Sequence, residues 1–159
     1  MNPLQQQAID TWLVNNRINL MILDELAPEA LAATLSKRGG RTVAQQLAHV
    51  HNVRLQWLEI AAPAFCKGQS KIDKEAVVDK TILKKSLTAS ANAIADWMST
   101  ADDEGKLKGY KKGLIGLLGY LLAHEAHHRG NILLTLKQSG IKLSDTLKWQ
   151  IWEWDKIKP

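Results

Sequence analysis

The sequence contains little cysteine and no long apolar run. Its 159 residues include a single cysteine, Cys66, so an internal disulfide cannot form and a reducing compartment is expected. The longest apolar run, from Leu114 to Ala123, is interrupted by Gly and Tyr and is far shorter than the roughly 20 residues of a membrane span. The first residues, MNPLQQQAIDTW, lack the basic and apolar regions of a secretory signal. We therefore expect a cytoplasmic protein that does not bind membranes.

The chain also lacks a strong excess of charge of one sign. Its formal net charge is +5, and the lysines around the third predicted helix are interleaved with Asp102, Asp103 and Glu104. No recognition helix or platform of aromatic and basic residues is apparent. This pattern is typical of a solvated surface, and we expect no nucleic-acid partner.

Helical periodicity runs through the sequence. Apolar residues recur at steps of three and four, and no segment alternates with period two, so an all-α protein is predicted. The four main helices are expected at about 4–26, 42–63, 80–100 and 114–138, and a short helix within 145–155. A chain of this length buries about 70% of its unfolded surface, which is enough for one domain, 1–159, without disulfides.

Local signals mark the helix ends and the core positions. Thr42 and Gln45 form a capping-box pattern, and Gly140 favours a helix end there. We expect Ile82 to point inward from the third helix. The tail tryptophans Trp149, Trp152 and Trp154 are expected to fix the tail to the bundle or, alternatively, to form a homodimer contact.

The five histidines lie in two short windows. His124 and His128 are four residues apart, which places their imidazoles on one face of the fourth helix. Such a pair can bind a divalent metal, and a third ligand must come from another helix. The second helix offers His49 or His51, but a two-residue step turns a helix by about 200°, so only one can face the pair. Periodicity does not choose between them. Three imidazoles would leave a position open, as in catalytic metal sites.

A resemblance to a known family bears on that choice. The string HEAHHRGN, the segment LAHVHNVRLQW and the closing KWQIWEW are similar to the DinB-like family of four-helix bundle proteins. The resemblance implies that His49, His124 and His128 are the ligands and that His51 and His127 are not. Asn131 departs from the family pattern, which often has Gln at this position.

The same resemblance implies a fold and a range of activities. It implies up-down-down-up connectivity, which the long segment between the second and third helices permits. Some members resemble thiol-dependent transferases or isomerases, in which the metal binds a low-molecular-weight thiol; many have no assigned reaction. The family name refers to induction by DNA damage. Zinc is the first choice of metal, with nickel, manganese or iron as alternatives.

A zinc-protease interpretation of the histidine motif competes with this one. The letters HEAHH also satisfy H-E-x-x-H, the zinc-protease helix in which the glutamate, here Glu125, is a base. The extended form of this motif has Gly and a third His further along the helix, but Asn131 and Leu134 stand at those positions here. Glu153 could be a downstream carboxylate ligand. No strand is predicted that could hold an extended peptide substrate. Glu125 is therefore either a base near the metal or an exposed residue, and the exposed position is favoured. Cys66 follows the second helix, away from the histidines in sequence, so we expect a structural or incidental thiol and not a metal ligand.

The histidine pattern predicts a metal site, and the resemblance implies a metal-dependent enzyme of the thiol S-transferase, isomerase or hydrolase type that acts on a small-molecule substrate. At neutral pH, a bound cation of the zinc type lowers the pKa of a water or thiol. The alternative is a non-enzymatic metal-binding stress-response protein with the same bundle.

Overall fold

The computed structural model describes residues 1–36, 38 and 40–159, and within this part of the chain the protein is all-helical, as predicted. In these residues, four long helices and one short helix make up the regular structure, together with three short 3₁₀ segments. The helices are α1 (Pro3–Glu25), α2 (Val43–Ala61), α3 (Lys80–Met98), α4 (Gly113–Gln138) and α5 (Asp145–Gln150).

The helix ends follow from local hydrogen bonding. The predicted capping box is confirmed: the Thr42 hydroxyl accepts from the Gln45 N–H, and the Gln45 side chain accepts from the Thr42 N–H at 2.9 Å. At the far end of α4, Gly140 adopts a φ of 74°, and the Ile141 N–H donates to the carbonyl of Leu136. The second main helix therefore begins, and the fourth ends, close to the predicted position.

The four long helices pack as a bundle. Each of α1 and α2 contacts both α3 and α4. The Gln5 side chain near the start of α1 donates to the Ser99 carbonyl beyond α3, and Lys84 near the start of α3 pairs with Asp24 near the end of α1. Helices α1 and α3 therefore run antiparallel. This direction agrees with the up-down-down-up order, which as a whole stays a prediction.

The apolar core consists of two regions that follow each other along the bundle. One contains Leu47 and Val50 of α2 with Ile132 and Leu136 of α4. The other contains Leu55 and Leu58 of α2, and it includes residues of the first half of α4 such as Leu117. Between these two apolar regions, α2 and α4 carry polar side chains that are also buried. The candidate site lies at this level of the bundle.

Two expectations about apolar residues are wrong. Ile82 is 45% exposed, because it lies on the first turn of α3 and its neighbour Leu83 occupies the inward face. Trp149 and Trp152 are each 74% exposed and do not fix the tail. Their place is taken by Leu147 and Ile151, which are one turn apart and buried.

The tail is also held by hydrogen bonds to the first helix. The Ser144 N–H and hydroxyl both donate to the Glu25 carboxylate at the end of α1. Ser144 in addition caps α5 by accepting from the Leu147 N–H.

Among the described residues, no helix has both the length and the hydropathy required to cross a membrane.

Candidate metal centre

Three histidines from two helices converge on one side of the bundle. His49 comes from the first half of α2, and His124 and His128 lie one turn apart in α4. Each offers a ring nitrogen, and these three atoms lie within 4.8 Å of one another. Helices α2 and α4 pack side by side, so residues 75 positions apart in sequence become neighbours. We call these three residues the histidine cluster.

The distances within the histidine cluster suit one small cation. The Nε2 atoms of His124 and His49 are 3.4 Å apart. Two nitrogens bound to one tetrahedral zinc ion at 2.0–2.1 Å would be about 3.3–3.4 Å apart. The ring centroids of His128 lie 4.7 Å from those of both His49 and His124. The cluster could therefore hold a metal ion with little movement of the side chains.

Burial and neighbouring charge keep the cluster unprotonated at neutral pH. Burial is the main cause that lowers the pKa of His49 to about 4, followed by the charges of Arg41 and His124. Burial also lowers the pKa of His128 to about 4, followed by His124 and His49. The pKa of His124 is lowered for the same leading reason. Neutral imidazole is the form that binds metals.

The structure separates the cluster from the two remaining histidines. His51 is 2% exposed, and its Nε2 lies 3.1 Å from the Ser70 carbonyl, on a different side of α2 from His49. His127 is exposed and bonds to Asn131 one turn away. The choice that periodicity left open between His49 and His51 thus follows from the packing of α2 against α4.

Glu125 lies in the bundle interior and is not an exposed residue. It is 1% exposed, so the favoured expectation of an exposed position is wrong. Its two oxygens accept from Arg54 Nε at 2.7 Å and Nη2 at 2.8 Å. Asn15 and Asn19 of α1 each donate to Oε2 at 2.8 Å. With four donors around it, this carboxylate is engaged away from the histidine cluster.

Arg54 is the centre of this buried network. Its Nη1 donates to Asn16 at 2.9 Å and to the Leu87 carbonyl at 2.8 Å, and its guanidinium lies 4.7 Å from the Trp12 ring centroid. Arg129 of α4 donates to the oxygens of Asn15 and Asn19. The network therefore connects all four long helices at the level of the histidine cluster.

The sequence pattern does not predict this network. The available signal was the placement of Asn15, Asn16 and Asn19 among the apolar residues of α1, where asparagine disfavours a helix interior. The sequence around Arg54 did not indicate a buried position, because a single arginine in an amphipathic helix is usually solvated.

Other candidate ligands lie outside the histidine cluster. Glu153 pairs with Lys156. Cys66 packs against the second core region, and burial, followed by the charge of Glu59, raises the pKa of its thiol. Among the described residues, the group that could hold a metal contains histidines alone.

Two aromatic side chains lie beside one edge of the cluster. The Tyr120 ring lies nearly parallel to the His124 ring, with centroids 6.1 Å apart and an interplanar angle of 14°. Trp57 contacts Tyr120 edge-on at 5.4 Å. Tyr120 therefore lies along one face of the His124 ring.

The comparison of this chain with protein families is consistent with a metal site. The model of the DinB family matches residues 1–154. The chain belongs to the DinB family. Comparison with curated proteins gives no match. Membership of the DinB family and the histidine cluster together fit a metal-binding protein. The domain limits, 1–159, stay a prediction.

Proposed function

We propose that this DinB-family protein is a metal-dependent enzyme in which His49, His124 and His128 hold a divalent ion. Zinc is the first choice, and nickel, manganese and iron are alternatives because availability also decides occupancy. The proposed reactions are of the thiol S-transferase, isomerase or hydrolase type, and they act on a small-molecule substrate.

One observation carries this proposal: the described part of the chain supplies three imidazole nitrogens within 4.8 Å and no fourth ligand. Structural zinc sites usually have four protein ligands, whereas catalytic sites usually have three and leave a position for water or substrate. His49 and His124 are only partly buried, so a small molecule can approach the cluster from solvent.

A divalent ion held there would lower the pKa of a water or of a low-molecular-weight thiol and so supply a nucleophile at neutral pH. The protein itself presents three neutral imidazoles and holds α2 and α4 in a fixed position relative to each other. The reacting sulfur, in the thiol reactions, comes from a small molecule, because Cys66 lies outside the cluster and burial raises its pKa.

The protease interpretation has less support. In zinc proteases of the H-E-x-x-H type the glutamate acts as a base at the metal. Here the Glu125 carboxylate accepts four hydrogen bonds from Arg54, Asn15 and Asn19. In addition, residues 1–36, 38 and 40–159 contain no strand that could align an extended peptide.

The test combines elemental analysis with an assay of thiol conjugation. Protein purified without an affinity tag should contain about one equivalent of divalent metal per chain. The metal-loaded form should accelerate the reaction of a low-molecular-weight thiol with members of a panel of electrophiles, or the hydrolysis of small esters and amides. The His124→Ala variant should do neither, whereas His127→Ala should retain the metal.

Each negative result has a separate meaning. If the purified protein takes up no divalent metal, the metal site is refuted. If it takes up metal stoichiometrically and accelerates none of these reactions, the enzyme proposal fails and a non-enzymatic metal-binding protein is favoured.

A further inference from the structure

A small cavity lies directly beside the histidine cluster. It has a volume of about 280 Å³ and is bordered by His128 and Asn131 of α4, by Gln46 of α2, and by Ser36 and Arg41 of the segment before α2. A cavity of this size accommodates a small organic molecule and is below the usual range for drug-sized ligands. We call it the His128 cavity.

The His128 cavity combines a cation with polar donors and contains no acid. No carboxylate is among the described residues that border it. The Arg41 guanidinium makes no hydrogen bond or ion pair with any described residue, and Arg41 is exposed. Arg41 is the one lysine or arginine among the described residues that border the cavity, and His127 and His128 are its two histidines. This lining is complementary to an anion.

Arg41 lies beside the histidine cluster. It borders the His128 cavity and also a neighbouring cavity that is lined by His49. An anion bound to Arg41 would therefore lie close to both helices that carry the cluster.

Gln46 provides an independent observation. It is 7% exposed and borders the cavity, yet its side-chain amide has no hydrogen-bond partner among the described residues. Its neighbour Gln45, by contrast, uses both ends of its amide, accepting from the Thr42 N–H and donating to the Lys74 carbonyl. Because the amide atoms of Gln46 are not fully enclosed by protein, its NH₂ group can donate to a small molecule in the cavity.

A second cavity shows why the anion belongs in the first. This cavity, of about 210 Å³, lies on the His49 side and also includes Arg41 in its wall. It contains Asp73 as well as Lys74. The carboxylate of Asp73, although Lys74 offsets its charge, would repel an anion there, whereas no described residue of the His128 cavity carries a carboxylate.

We propose that the His128 cavity binds the carboxylate of a small organic acid, with Arg41 and the Gln46 amide as donors. The acid would then be the substrate class of the metal centre, and this part rests on the proposed function. Arginine matches a carboxylate through two parallel hydrogen bonds. A single guanidinium balances the one charge of a carboxylate better than the near-double charge that phosphate carries at pH 7.

The binding test uses metal-free protein, so it does not depend on the metal centre. Acetate is titrated into ¹⁵N-labelled protein at pH 7, and the side-chain amide resonances of Gln46 and Asn131 are followed by NMR. Acetamide serves as the neutral counterpart of acetate, and inorganic phosphate as the second anion. The variants are Arg41→Gln, with Arg38→Gln as the matched loss of charge in the same segment, outside the cavity lining.

Acetate should shift both amide resonances in a saturable manner, and acetamide should not. Arg41→Gln should weaken acetate binding by about tenfold, in line with the loss of a charge-assisted hydrogen bond, and Arg38→Gln should leave it unchanged. Gln46→Met, which keeps the volume and removes the amide, should also weaken it. This variant keeps the proposal testable if Arg41→Gln does not fold.

Three results would overturn the proposal. These are the absence of saturable shifts with acetate, equal binding of acetate by wild type and Arg41→Gln or Gln46→Met, and tighter binding of phosphate than of acetate. Failure of the proposed function would look different, because acetate binding would persist in a protein that takes up no metal.

Discussion

Arg54 and Glu125 form a two-point ion pair between α2 and α4, with N···O distances of 2.7 and 2.8 Å and side chains that are 0% and 1% exposed. These are the two helices that carry the histidine cluster, and Glu125 is the immediate neighbour of His124. A buried pair with two parallel hydrogen bonds fixes how the helices are placed along each other. The pair therefore contributes to the alignment of His49 with His124 and His128.

Breaking this pair should destabilise the protein strongly. Glu125→Ala leaves the Arg54 guanidinium buried without its counter-charge, and we expect a loss of about 3–5 kcal/mol in the free energy of unfolding, measured by urea denaturation. Asp24→Ala, which removes an exposed pair with Lys84, is the control and should cost about 0–1 kcal/mol. Similar losses in the two variants would contradict the structural role of the buried pair.

Removing a cluster histidine should abolish metal uptake. His124→Ala takes away one of two ligands on α4, and the two that remain cannot hold an ion with comparable affinity. Metal content is measured by elemental analysis of tag-free protein. His127→Ala changes the same residue type on the same helix outside the cluster and should keep the metal. Unchanged metal content in His124→Ala would refute the ligand assignment.

The metal-free protein should lose stability as the pH falls from about 6.5 towards about 4. The pKa of His49 and of His128 is lowered from 6.5 to about 4, chiefly by burial, whereas the unfolded chain keeps the ordinary value. In this window the unfolded state binds more protons than the folded state, so acid favours unfolding. Above pH 6.5 neither state is protonated at these positions, and this contribution to the pH dependence vanishes.

The measurement is the urea midpoint at several pH values between 4 and 7 with a chelator present. His49→Asn removes one of the four histidines whose pKa is lowered and should show a smaller decline over that window. Both proteins share the titration of the carboxylates, so the difference between them reports the histidine. An equal decline in both would show that His49 does not contribute.

Gly109 should tolerate substitution less well than Gly68. Both have positive φ, 86° and 75°. An added Cβ at Gly109 would lie 2.5 Å from the Ala61 carbonyl oxygen at the end of α2, whereas one at Gly68 would meet nothing within 4 Å. Gly68→Ala should therefore cost about 1–2 kcal/mol from backbone strain alone. Gly109→Ala should cost about 1–3 kcal/mol more from the clash. Equal thermal midpoints for the two variants would contradict this packing.

Much of the fold was predictable because helix formation depends on neighbouring residues. Capping at Thr42, the glycine at position 140 and apolar spacing placed the long helices within a few residues of their observed ends. The spacing of His124 and His128 likewise needs one helix alone. Where a residue lay at the edge of a helix face, as with Ile82, or on a short helix, as with Trp149, spacing gave the wrong exposure.

By itself, the sequence determined the helices, the histidine pair on α4 and the similarity to the DinB family. The resemblance implied His49, and the tertiary structure places it, and not His51, beside that pair. Only the tertiary structure decided that Glu125 is buried against Arg54, and that Arg41 and Gln46 border a cavity at His128. The physical reason is that each of these depends on the rotation and register of one helix against another. Contacts between residues distant in sequence set that register, and the periodicity of a single helix leaves it undetermined.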